Sequence, residues 1–129
     1  MATGFPASTG QIFTAAAYNG LVSYTLNDQT GTTYTTVLND SYQVLVTMNN
    51  AAANTFKIPT NASVAHPIGT VITVLNKGAG LCTISAVTSG TTTVLSAGAT
   101  PAAPTLGQNR SSACIKVATD VWYIVGAIA

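Results

Sequence analysis

Charge is what this chain has least of. Four basic and three acidic side chains make up 5% of its 129 residues, where a soluble domain ordinarily carries about 25%. They are Asp28, Asp40, Asp120, Lys57, Lys77, Arg110 and Lys116; there is no glutamate, and His66 is the only histidine. A net charge of +1 leaves no basic footprint for a phosphate backbone, so no nucleic-acid partner is expected. Three carboxylates and one imidazole offer little that burial and neighbouring charge could tune for acid–base work, so the chain is read as not an enzyme. The low charge does not signal disorder, which combines low hydrophobicity with high net charge. This chain is 47% hydrophobic with a mean hydropathy of +0.40.

Long apolar runs are missing too. The longest reach about six residues against the ~20 of a membrane-spanning helix, so no membrane partner is expected. Residues 1–10 have neither a positive n-region nor an apolar h-region, which argues against a signal peptide. Asn39, Asn61 and Asn109 each open an N-x-S/T match and are read as plain polar loop residues.

Few residues remain that carry chemistry. The aspartates sit beside turn formers and suit side-chain bonds to their own backbone. His66 precedes Pro67, which favours an extended conformation. A small hydrolase built around it would need a nucleophile signature, and no G-x-S-x-G elbow exists. A lone histidine makes no metal site unless a threefold assembly brings copies together. Gly78-Ala79-Gly80 lacks the third glycine and the helix of a dinucleotide loop. No cofactor and no metal are expected. Cys82 and Cys114 match no zinc or redox spacing. Two readings stay open for them: buried free thiols, or a disulfide if their strands lie adjacent.

What the chain does have is threonine, valine, serine and asparagine in a two-residue rhythm. Branching at Cβ suits Thr and Val to a pleated strand. Tyr42, Val44, Val46 and Met48 alternate with Gln43, Leu45 and Thr47. A strand at 55–58 stops at Pro59. Residues 70–76 are apolar on both faces and read as a central strand. The turn 77–80 makes 81–86 the expected hairpin partner of that strand. Residues 91–95 form a further strand, and 96–109 read as a long loop. A last hairpin joins 113–118 to 121–126 around Thr119-Asp120; Trp122 and Tyr123 alternate on its second strand, so at least one of them faces the core rather than a sugar-stacking platform. The expected fold is all-β, a small antiparallel β-sandwich or barrel with an N-terminal extension. Residues 1–20 form an arm and 21–129 a single β domain. Phe5, Ile12 and Phe13 are the candidate assembly contacts: the arm either docks on a neighbouring subunit or folds back on its own domain.

Across residues 42–126 the chain resembles a small β domain of tailed-phage structural proteins. An asparagine and small-residue turn, Asn49 to Asn54, leads through Thr55, Phe56, Lys57 and Ile58 to Pro59. Ser63, Pro67, Gly69, Thr70, Ile72 and Val74 follow that family's pattern, with His66 where an aromatic is usual. Gly78, Ala79 and Gly80 form its turn, with Thr83 and Ile84 after it. Lys116, Asp120, Trp122 and Gly126 form its closing hairpin. The resemblance implies a virion structural protein, assembled in the bacterial host cytoplasm, with no catalytic residues. A capsid decoration (cement) protein is the expected form. It would bind the outer surface of a phage head as a trimer, with the major capsid protein as partner, and tie capsomers together. The alternative is a tail-fibre or tail-tip module that binds host-surface glycans.

Overall fold

Strands are the main regular structure of the computed structural model, which describes residues 14–16, 19 and 23–129. Phe5, Ile12 and Phe13 lie outside the described residues, as does most of the 1–20 arm. Among the described residues ten strands run in order: β1 (Thr25–Gln29), β2 (Thr33–Thr35), β3 (Val44–Met48), β4 (Asn54–Ile58), β5 (Val71–Asn76), β6 (Cys82–Ala86), β7 (Thr93–Ser96), β8 (Thr105–Leu106), β9 (Arg110–Ala118) and β10 (Val121–Gly126). A single 3-10 turn, Leu38–Ser41, precedes β3.

The strands form two mixed sheets. The larger has the order β1-β3-β5-β9-β10-β7 and the smaller β2-β4-β6-β8. The all-β expectation holds; antiparallel pairing throughout does not. β1–β3, β3–β5, β2–β4, β4–β6 and β7–β10 pair parallel, and only β5–β9, β9–β10 and β6–β8 are antiparallel. The expected hairpin of 70–76 with 81–86 is also corrected, since β5 and β6 lie in different sheets. The turn between them carries the chain across the core instead of back along one sheet. The closing hairpin is present as β9–β10, and the loop at 96–109 contains β8.

The parallel pairs come from winding. From β1 to β6 the chain alternates between the two sheets, and each return lays a strand beside its predecessor. Parallel neighbours require such crossovers. One end of the protein carries the short arches, at 30–32, 49–53 and 77–81, and these stack. Lys77 N donates to Met48 O, Asn49 N to Gln29 O and Gly80 N to Asn50 O. The Asn50 side chain bonds Thr30 O and Ala52 N. The opposite end carries the longer connections at 36–43, 59–70 and 87–92 together with the β9–β10 turn. Asp120 makes that turn at a φ of 56°, in the left-handed region that Asp tolerates.

Both sheets feed one core. Val44, Val46 and Met48 of β3, Phe56 and Ile58 of β4, and Ile72 and Val74 of β5 meet Ile84, Cys114, Trp122 and Ile124 there. Alternation in β3, β4, β5 and β10 thus does what period two predicts. Both cysteines are buried and free. Burial pushes the Cys82 thiol up to about 11 and raises that of Cys114 further, so both pack as small apolar groups.

The arches leave no room at two glycines. A Cβ on Gly80 would overlap the Ala52 carbonyl, and one on Gly78 would overlap the Asn50 backbone. Gly80→Ala is therefore expected to destabilise the protein by about 1–3 kcal/mol, the usual cost of overpacking a closed site. A lowered urea midpoint at unchanged m-value would show this; a midpoint equal to the native one would mean that the arches are not in this contact.

Candidate functional site

The two sheets turn very different faces outward. Successive residues on a strand point to opposite sides, so the partners of the buried set define each outer face. On the smaller sheet, Thr33, Thr55, Thr83 and Thr105 form one continuous row across all four strands, and Thr35, Lys57 and Ser85 form the next. Hydroxyls and one ammonium on this face hydrogen-bond well to water.

The larger sheet presents apolar groups instead. One row runs Leu26, Leu45, Thr73, Ala113, Val125. A second runs Val71, Ile115, Tyr123, Leu95. Leu26 is 67% exposed, Val71 48%, Val125 47% and Tyr123 45%. The charge on this face is Asp28, at its β1 edge, held 3.0 Å from the Lys77 ammonium and accepting a hydrogen bond from Thr47. The Thr47 bond and then Lys77 hold the Asp28 carboxyl below its usual range. At the opposite edge Leu95, Tyr123, Val125, Gly126 and Ile128 line an open hollow of about 570 Å³.

The long-connection end gathers a cluster of buried polar side chains, Thr36, Asp40, His66, Thr92 and Lys116. His66 is buried, 2% exposed, with its ring edge-on to Trp122 at 5.5 Å. Ser41 Oγ lies 2.5 Å from Nδ1 and Thr36 Oγ1 2.9 Å from Nε2. A neutral imidazole has one donor and one acceptor nitrogen, and hydroxyls match either. Burial, then the Lys116 charge, lowers the His66 pKa, while Asp40 opposes the shift. Asp40 is itself buried and accepts from Tyr34 Oη at 2.5 Å, Val37 N at 3.0 Å and Asn27 Nδ2 at 3.1 Å. Burial, and then Asp40, pushes the Tyr34 phenol well above its usual range.

Lys116, on the inward side of β9, completes this end. Its ammonium donates to Asn61 Oδ1 at 2.6 Å and to the His66 carbonyl at 2.7 Å. Asp120 Oδ1 accepts from Asn61 N and from Thr92 Oγ1. Burial lowers the Lys116 pKa and Asp120 opposes it.

The structure thus gives His66 a serine, but no carboxylate stands behind the ring. Both nitrogens bond hydroxyls, and the Asp40 carboxylate is engaged by Tyr34, Asn27 and the Val37 amide. What this contact does is join two connections, 36–43 and 59–70. Among the described residues no three His, Cys, Asp or Glu side chains cluster as metal ligands. Of the alternating pair, Trp122 faces the core and Tyr123 faces out. Sequence reasoning placed Asp28 in a turn; it lies on β1. Sequence reasoning also missed the burial of Lys116, although Lys116 shares the parity of Cys114 on β9. No protein-family model, no curated protein and no solved structure matches the chain.

His66 makes a pH prediction. Its folded-state pKa lies below the ordinary 6.5, so below that pH the unfolded chain binds more protons than the folded one. Stability is then full above about pH 6.5 and falls as acid approaches the depressed folded value. Urea midpoints between pH 5 and 8 are expected to drop on the acid side, and His66→Gln is expected to flatten that segment. An unchanged acid-side slope in the variant would assign the dependence to another group.

Proposed function

We propose that this chain is a virion structural subunit, a capsid decoration protein that docks through the outer face of its larger sheet. The observation that carries this reading is the asymmetry of the two outer faces. One sheet is coated with threonine hydroxyls, and the other turns leucine, valine, isoleucine and tyrosine outward, with Thr73 and Ala113 among them. A face of this kind is stabilised by cover, at roughly 25 cal/mol per Å² of apolar area removed from water, before ordering costs. The scarcity of charge fits the same end, because desolvating an unpaired charge at an interface is costly.

The family resemblance supplies the rest of the proposal: the major capsid protein as partner, a trimer as the working unit, and the outer surface of the head as the location. Phe5, Ile12 and Phe13 of the arm are proposed as a second contact. The β9–β10 hairpin, with buried Trp122 and outward Tyr123, is compatible with the closing element that the resemblance implies. Two sheets around one core also support the sandwich form of the expected fold.

Tyr123 favours a second reading. Its half-exposed ring borders the hollow at the β7–β10 edge, a position from which an aromatic can stack on a sugar. That would suit a tail-fibre or tail-tip module.

Placing a lysine at Val71 and another at Tyr123 tests the first reading. Each would put an ammonium in the middle of the apolar face and leave the core intact. Co-sedimentation of the double variant with undecorated phage heads is expected to weaken at least tenfold, about 1.4 kcal/mol, while Thr83→Lys on the other sheet binds as the native chain does. Native-level binding by the face variant, or equal loss in both variants, would count against docking through the larger sheet. Loss of specific glycan binding on Tyr123→Ala, with head binding absent from the start, would favour the fibre module.

A further inference from the structure

The connection from β4 to β5 delivers Asn61 to the buried tip of Lys116. These two residues are far apart in sequence, and the backbone on both sides fixes their approach. Gly69 N donates to Lys116 O at 2.7 Å and Lys116 N to Thr70 O at 2.9 Å, while Asn61 N is held on Asp120 Oδ1 at 2.7 Å. The Lys116 nitrogen rests 2.6 Å from the Asn61 side-chain oxygen. With a carbonyl bond of about 1.2 Å, this puts it within about 4 Å of the amide carbon.

We propose that Lys116 and Asn61 join through an intramolecular isopeptide bond, formed when the lysine amine attacks the asparagine side-chain amide. The Nζ–Cγ bond forms and the Cγ–Nδ2 bond breaks. One amine proton passes to Nδ2, which leaves as ammonia. Nothing is oxidised or reduced, and no co-reactant is consumed.

Four features of the site serve this reaction. Lys116 is buried, 2% exposed, and the Asn61 amide that it meets is only partly exposed, which limits the access of water, the competing nucleophile. Burial also favours the neutral amine, the form that attacks, and the lowered Lys116 pKa agrees with this. The His66 carbonyl, 2.7 Å from Nζ, fixes the amine's orientation. Asp120 holds the asparagine backbone through its Oδ1, and its negative charge, which acts on the Lys116 nitrogen, favours the positive charge that develops on the attacking amine. Fixed proximity of this kind is what makes an unactivated amide reactive. The product closes residues 61–116 into a covalent ring and locks the 59–70 crossover onto β9. This inference stands apart from the proposed virion role and would hold for the chain in any location.

Intact-mass spectrometry of the full chain, folded and then denatured, tests it. The expected mass is one ammonia below that of the sequence. Trypsin should fail to cut after Lys116 and release a branched peptide joining Asn61 to Lys116. Asn61→Ala and Lys116→Arg should each restore their full sequence mass, and Asp120→Asn should slow the mass loss after refolding. The native chain alone decides the matter, whether or not the variants fold. Full sequence mass with normal cleavage after Lys116 would overturn the proposal. Ammonia loss without the branched peptide, as from a succinimide at an asparagine, would overturn it equally.

Discussion

Lys116 buries its side-chain nitrogen at the end of β9 and hydrogen-bonds it to the Asn61 amide oxygen and the His66 carbonyl. A buried polar group is costly unless its hydrogen bonds are made, so the 59–70 connection must stay where it supplies both acceptors. His66 then bonds Thr36 and Ser41 and fixes the 36–43 connection in turn. Asp120 ties in Thr92, at the head of β7. Three crossovers and one hairpin turn are thereby held at a single end. The winding of β1 to β6 depends on this, because parallel strands have no tight turn to set their register. The stacked arches do the corresponding work at the other end with backbone bonds and two glycines that admit no side chain.

With both ends closed by polar contacts, what varies is the outside of the sheets. The smaller sheet spends its outward positions on threonine, which suits water and β structure alike. The larger leaves Leu26, Val71, Tyr123 and Val125 exposed. Its interior strand β5 turns Ile72 and Val74 to the core and Val71, Thr73 and Leu75 outward. Seven charges in the whole chain, with Asp28 at the rim of this face and paired to Lys77, keep it free of groups that a partner would have to desolvate.

Much of this was legible in the sequence, and the gaps have physical causes. Alternation located β3, β4, β5 and β10 because a half-buried strand must alternate. The apolar residues on both faces of β5 marked it as a central strand, and it lies between β3 and β9 in the larger sheet. Pairing was not legible, since period two says which face a residue takes and nothing about its neighbour. The 77–81 turn looks like a hairpin because an arch between sheets uses the same glycines. Successive rungs of the winding hid as well: Thr33, Thr55 and Thr83 share a row at unequal sequence spacings, so no repeat showed. The polar cluster was out of reach for a different reason. His66, Ser41, Thr36, Asn61 and Lys116 come together only when the connections fold to one end, and no local pattern records that.

Oxidative footprinting of the free subunit and of decorated particles tests the central claim most directly, with acetylation of Lys57 as the reference on the opposite sheet. The account predicts that Leu26, Val71 and Tyr123 are labelled in the dilute subunit and protected on the particle, while Lys57 reacts in both. Equal labelling of Leu26, Val71 and Tyr123 in the two states, or protection confined to Lys57, would contradict it.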